Sequence, residues 1–423
     1  MKLSPDAAAF GTRSVHVGHD PSDRPEDLTG AVTAPIYQTS TYVQPELGLA
    51  NPDYEYGRVQ NPTRSALERN LASLEGGASA HAFASGMAAV GALMTVLEPG
   101  DEVVMSRDVY GGTTRLFRQV LSRYGIRFNW VATRDLDALR AAFTPATRMV
   151  YLETPSNPMM EITDIAGAAS LAHEHNALCV VDNTFMSPWG QQPLALGADL
   201  VLHSTTKYLN GHSDALGGVL IVAQTPHAGA LAALAGLDPG GLGAHFAFQQ
   251  KAAGAILAPM EAFLLMRGIR TLDVRMARHE SNGTGLAVLL DARADGRVYY
   301  PGLPDHPGHA VHAKQTGGRS GGMIAVDLGD RGAARAFIEA LQVFLLAESL
   351  GGVESLVSHP LTMTHASVPP ELRKELGITD GLVRLSVGIE AYEDLHADIE
   401  RGLDAVAAYR AAKTQTPVGA SVG

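Results

Sequence analysis

Six short apolar runs constrain the fold most: EVVMS (102–106), RFNWV (127–131), RMVYLE (148–153), ALCVVD (177–182), DLVLHS (199–204) and GGVLIV (217–222). Each is continuous rather than alternating, so each would be apolar on both faces and must be covered on both. Helical stretches such as TTRLFRQVLSRYG and ITDIAGAASLAHEHN separate them. Strands joined by helices in this way predict an α/β fold, a mainly parallel sheet with helices on both faces.

The rest of the chain falls into segments around that unit. Residues 1–60 are rich in Pro, Gly, Thr and Tyr with little helical periodicity, which predicts an extended arm that docks on something. TRSALERNLASLE then has helical spacing, with Asn61-Pro62-Thr63 ahead of it supplying a proline and a capping hydroxyl. The large domain is expected over 61–258, ending in an Ala/Gly-rich helix–turn–helix or mobile excursion around DPGGLG. A smaller C-terminal α/β domain is expected over 259–412. It would hold one long helix (MEAFLLMRGIRTLDVRMARHE), strands at GMIAVDL and LVRLSVG, and a closing helix, with a frayed tail over 413–423.

Composition narrows the function. At 46% hydrophobic and 18% charged residues the 423-residue chain is an ordinary globular protein. Its net charge of −12 argues against nucleic acid and an anionic membrane surface as partners. The single cysteine, Cys179, excludes an internal disulfide framework and a Cys-rich zinc site. It sits in a strand-like run and reads as buried. No signal-peptide h-region and no membrane-length apolar run are present, so a cytoplasmic location is expected.

In open α/β sheets ligands bind beyond the carboxyl ends of the strands. Those ends carry Glu153 with Ser156-Asn157-Pro158, Asp182-Asn183, and Ser204-Thr205-Thr206-Lys207. Lys207 is conspicuous, because every other lysine lies at position 2 or from 251 onward, with Arg used between. Lysine can lose its proton in a shielded site and serve as nucleophile or base, which Arg cannot. The FASGMA loop (83–88), with Ser85, Gly86 and Met87, opens a helix with small residues whose free N–H groups can hold an anion. Together these are the parts pyridoxal 5'-phosphate needs. Gly86, Met87, Ser204 and Thr206 suit its phosphate, Asp182 its pyridine nitrogen, Lys207 its aldehyde and Tyr110 the face of its ring.

On these residues the chain resembles the γ-family of pyridoxal-phosphate enzymes, which includes cystathionine γ-lyase and cystathionine γ-synthase. The resemblance runs from about Thr12 to Tyr409. It is carried by PIYQTSTY, YEYGRVQNPTR, FASGMAA, DVYGGTTRLF, ETPSNP, VVDNTF, HSTTKYLNGHSD, YYPGLPDHP, LAESLGG and LVRLSVGIE. It implies an aspartate-aminotransferase-like fold with a seven-stranded sheet, and a homotetramer of two tight dimers. Position by position, it implies that Lys207 is the Schiff-base lysine and Asp182 the partner of the pyridine nitrogen. Asn157 would neighbour the phenolic oxygen, and Tyr56 and Arg58 would reach the phosphate of the neighbouring subunit. Arg384 with Ser349 would clamp the substrate α-carboxylate, Tyr110 would stack and relay protons, and Arg115 would lie in the substrate region. Glu348 in LAESLGG resembles the cystathionine-handling members, where a carboxylate could pair with the distal ammonium.

The expected activity is therefore γ-elimination of cystathionine, an amino-acid substrate. The alternatives are the γ-synthase reaction, methionine γ-lyase, homoserine sulfhydrylase, or a non-catalytic binding protein on the same fold. HSDALGG departs from the family's usual branched pair, and 227–258 is longer than usual, which bears on access and subunit contacts. Metal binding by His306, His309 and His312, or by His173 and His175, is not expected; histidines three residues apart read as a polar helix face.

Overall fold

The computed structural model describes residues 8–415 apart from 25, 48–53, 239 and 365–369. All six apolar runs form strands, and a seventh precedes them: β1 Ser79–Phe83, β2 Glu102–Ser106, β3 Arg127–Val131, β4 Thr147–Glu153, β5 Leu178–Asp182, β6 Leu200–His203 and β7 Gly218–Val222. They make one sheet in the order β1-β7-β6-β5-β4-β2-β3. The β3-β2-β4-β5-β6 stretch is parallel throughout, and β7 runs antiparallel to both β6 and β1. β1 escapes a sequence reading because SAHAF carries no β-branched residue.

Two-sided burial is visible residue by residue. Met149, Tyr151, Leu178, Val180, Leu200 and Leu202 face one apolar cluster, while Val150, Leu152, Cys179 and Val181 face another. This period-two division between two cores makes the runs continuous in the sequence. Cys179 is fully buried, and burial pushes its thiol pKa well up.

A second sheet contains β8 Arg297–Tyr299, β9 Met323–Asp327, β10 Leu345–Leu346, β11 Leu356–Ser358 and β12 Leu382–Ser386, in the order β10-β11-β12-β9-β8. It has its own core, including Ile324, Val326, Phe337, Val383 and Leu385.

Several local expectations are corrected. Residues 10–16 of the N-terminal arm form a helix, with Phe10 packed against the core below it. The helix Pro62–Glu75 is capped by the Asn61 side chain, which accepts from Thr63 N (3.0 Å) and Arg64 N (3.3 Å). The Thr63 hydroxyl instead donates to Pro35 O. The single long helix expected after Pro259 is two helices, Pro259–Ile269 and Leu272–Arg293. At the break Arg275 donates to Gly268 O (3.0 Å) and to Tyr208 O (2.8 Å), tying the join to the loop that follows Lys207. The 225–258 region, by contrast, forms the helix–turn–helix expected of it, Ala228–Ala232 and Gly241–Ala253; the second helix buries Leu242 and Phe246 against the large sheet's core. The closing helix continues to Gln415, past the expected fraying point, with Lys413 paired to Asp330 at 2.7 Å. The remaining tail, 416–423, lies outside the described residues.

Candidate active site

The carboxyl ends of β4, β5 and β6 lie side by side, with Glu153 paired to Asp182 and Asp182 to Leu202 in register. In front of them is a cavity of about 360 Å³. Ser85, Gly86, Met87, Tyr110, Asn157, Asp182, Ser204, Thr206, Lys207, Glu348, Ser349 and Arg384 all line it. Parallel crossovers deliver the ends of β4, β5 and β6 to this edge, and Glu348, Ser349 and Arg384 reach it from the segment around the second sheet.

The anion-holding corner is built by close backbone approach. Ser85 caps the helix Gly86–Leu93, its Oγ accepting from Ala88 N at 3.0 Å. Gly86 and Met87, the first helical residues, carry N–H groups without an intrahelical acceptor. A side chain at Gly86 would meet Ser204 Cβ at 2.9 Å, and one at Gly218 would meet Ser85 O at 2.3 Å. Only glycine lets the helix start sit against the end of β6. Thr206 Oγ1 accepts from Gly217 N (3.1 Å), and Ser204 N donates to Thr184 Oγ1 (2.9 Å).

Asp182 is held from both oxygens. Oδ1 accepts from Thr184 N (3.1 Å) and Thr184 Oγ1 (2.6 Å), and Oδ2 from the Tyr151 hydroxyl (3.3 Å). Burial raises the Asp182 pKa, opposed by the Thr184 bonds and the charge of His203. Neither Thr184 nor Tyr151 is evident as a site residue from the sequence alone. The hydroxyl two residues after Asp182 is a local signal for the former. Tyr151 is hidden in an apolar strand.

Lys207 Nζ donates to Ser349 Oγ at 2.9 Å. Burial above all, then the Arg384 charge, pushes the lysine pKa down to about 8, while Glu348 pulls the other way. Ser349 has φ +138°, a conformation non-glycine residues rarely adopt, and such strain concentrates at functional sites. Arg384 is 3% exposed and donates to Asn157 Oδ1 (2.9 Å) and Ser349 O (3.0 Å). Its Nε is buried without a hydrogen-bond partner among the described residues. A guanidinium so fixed, with an unused donor, suits a carboxylate ligand. Behind this wall Asp108 bonds Ser156 Oγ, and Ser156 Oγ accepts from Glu161 N (3.0 Å), bracing the turn that carries Asn157.

Tyr110 is half-exposed at the cavity wall, its backbone N–H donating to Glu153 Oε2 at 2.8 Å. Glu348 also lines an adjoining groove of about 790 Å³ with Leu345 and Asp214. Three sequence candidates lie outside the cavity. Arg115 is exposed on the helix Gly111–Gln119. Tyr56 lies under the Arg58 guanidinium at 5.5 Å, and Arg58 bonds Lys251 O. Among the described residues no group of three or more His, Cys, Asp or Glu is placed to hold a metal ion. His173 pairs with Asp199 (3.0 Å), and His309 Nδ1 with Pro301 O (2.9 Å).

The donors fit pyridoxal phosphate. The glycine cradle with hydroxyls would take the phosphate, Asp182 the pyridine nitrogen, and Lys207 the aldehyde.

Comparison with known proteins agrees. The family described as Cys/Met metabolism PLP-dependent enzyme matches residues 11–404. A cystathionine β-lyase of Lactococcus lactis subsp. cremoris (strain MG1363) is 49% identical over 380 residues, covering 90% of this chain and 96% of that protein. A cystathionine γ-synthase of Mycobacterium tuberculosis (strain H37Rv) is 48% identical over 395 residues, 93% of this chain and 96% of the relative. The crystal structure of a cystathionine γ-lyase from Lactobacillus plantarum, complexed with L-serine, superposes with a TM-score of 0.86. It is 43% identical and covers 95% of this chain and all of that one (100%).

Proposed function

This chain belongs to the Cys/Met-metabolism PLP-dependent enzymes, and on that footing we propose that it cleaves cystathionine by γ-elimination, giving cysteine, 2-oxobutyrate and ammonia. The observation that carries the reading is the grouping of charges in the cavity. Arg384 and Lys207 both bond Ser349, and the Glu348 carboxylate in the same cavity acts on the charge of each. A cystathionine molecule has a carboxylate for Arg384, an α-proton for Lys207 and a distal ammonium for Glu348.

When bound, pyridoxal phosphate supplies an electron sink for the negative charge that develops at the substrate α-carbon. Arg384 would grip the α-carboxylate and fix the α-hydrogen in front of Lys207. With its pKa near 8, Lys207 is partly unprotonated near neutral pH and would take that proton. Lys207 and Tyr110 would then move the β-proton and the proton delivered to the departing sulfur. Asp182 would keep the pyridine nitrogen protonated, and Asn157, held by Arg384, would set the edge of the ring.

For the assembly we propose a homotetramer in the cytoplasm, in which Tyr56 and Arg58 of one subunit reach the phosphate held by its neighbour. Both side chains lie away from the cavity of their own chain, Tyr56 being 41% exposed.

A second reading is β-elimination, favoured by the 49% identity to a protein named cystathionine β-lyase. One product assay separates the reactions. Cystathionine should yield cysteine and 2-oxobutyrate; homocysteine and pyruvate would mean β-elimination instead. Faster formation of cystathionine from an O-acyl-homoserine and cysteine would make it a synthase. Rapid turnover of methionine would remove the role given to Glu348.

A further inference from the structure

Glu153 has no part in the reading above, yet it is buried at the cavity wall, 5% exposed, beside Asp182. The two carboxyls end adjacent parallel strands in register. Neighbouring strands are only ~4.8 Å apart, and two buried carboxylates so close do not both ionise. Hydrogen-bond donors decide which one does. Asp182 accepts three bonds, two from Thr184 and one from Tyr151. Among the described residues Glu153 accepts one, from the backbone N–H of Tyr110. The charge therefore settles on Asp182.

We propose that Glu153 is a positioning residue that works as an uncharged acid: it anchors the Tyr110 backbone, and so seats the phenol, while leaving the negative charge of this in-register pair on Asp182. The groups facing Glu153 agree. Burial first, then the charges of Asp182 and Asp108, raise its pKa well above the usual carboxylate range, against the Tyr110 N–H and Arg384. The inference rests on the pyridoxal-phosphate reading, since seating Tyr110 matters only if its ring covers that cofactor.

The test uses Glu153→Gln and Glu153→Ala holoenzymes. Glutamine keeps the acceptor oxygen and is neutral at every pH; alanine removes the anchor. Glu153→Gln should keep kcat within about 3-fold of the parent, with an unchanged visible circular dichroism band of the bound cofactor. Glu153→Ala should lower kcat by roughly 10-fold or more, KM moving less, and should alter that band, because the ring is no longer held in place. If Glu153→Gln loses as much activity as Glu153→Ala, the residue is needed as a charge or proton source and the proposal fails. It fails equally if Glu153→Ala keeps the parental band and kcat. Should Glu153→Ala not fold, Glu153→Gln alone decides through its band and its kcat–pH profile, which must match the parent. A parent protein that binds no pyridoxal phosphate would instead sink the cofactor reading, so the two failures are distinct.

Discussion

Replacing Lys207 by methionine should stabilise the cofactor-free protein at neutral pH while abolishing turnover. The lysine pKa falls from the ordinary 10.5 to about 8, chiefly through burial and then through Arg384, which shares Ser349 with it. Holding the charged ammonium in a site that lowers its pKa from 10.5 to about 8 costs roughly 3 kcal/mol. Losing the bond to Ser349 returns about 1 kcal/mol of that, leaving a net gain of roughly 2 kcal/mol for the apolar variant. The sign with pH follows from proton binding. Below pH 8 folded and unfolded chains both hold the proton and the penalty is complete. Between about 8 and 10.5 the unfolded chain holds more protons, so parental stability rises; above 10.5 the penalty is gone. Lys207→Met lacks this contribution, so its advantage should close across that window. For 423 residues melting as one unit, roughly 2 kcal/mol is a Tm increase of about 2 °C. Paired calorimetric scans of both apo proteins at pH 7 and pH 10 measure it. Equal differences at the two pH values, or a variant less stable at pH 7, would refute the depressed lysine.

Other perturbations test the rest of the site. Arg384→Lys cannot span Asn157 Oδ1 and Ser349 O together, and should lower kcat/KM for cystathionine by roughly 10²-fold with cofactor binding intact, read by steady-state kinetics and visible absorbance. Glu348→Gln should raise KM for cystathionine about 10-fold but leave KM for cysteine nearly unchanged; equal effects on both would remove its role toward the distal ammonium. Gly86→Ala drives a methyl group into Ser204 and should weaken pyridoxal-phosphate binding at least about 10-fold, measured by reconstituting apoenzyme and following the visible band.

Much of the fold is legible because its cause is local and repeated. A strand buried on two faces must be apolar on both, as β4, β5 and β6 are; with β2 and the half-exposed edge strand β3 they form one parallel block, while the sixth run, β7, turns antiparallel. What misled was not local: at the break at Arg270-Thr271, Arg275 reaches across to Tyr208 O, a partner 67 positions away. Lys207 and Asp182 are readable in the same way, since both stand where an apolar strand ends in polar residues.

Chemical identity by itself thus picked out the residues proposed to hold the cofactor: one lysine where Arg is the habit, one carboxylate at a strand end, a glycine at a helix start. Tertiary structure alone decided how they are tuned. Burial beside Arg384 brings the Lys207 pKa to about 8, and three donors to Asp182 against one to Glu153 choose which carboxyl carries the charge. Residue type follows from the local chain, but protonation depends on which groups from distant segments share a dry wall.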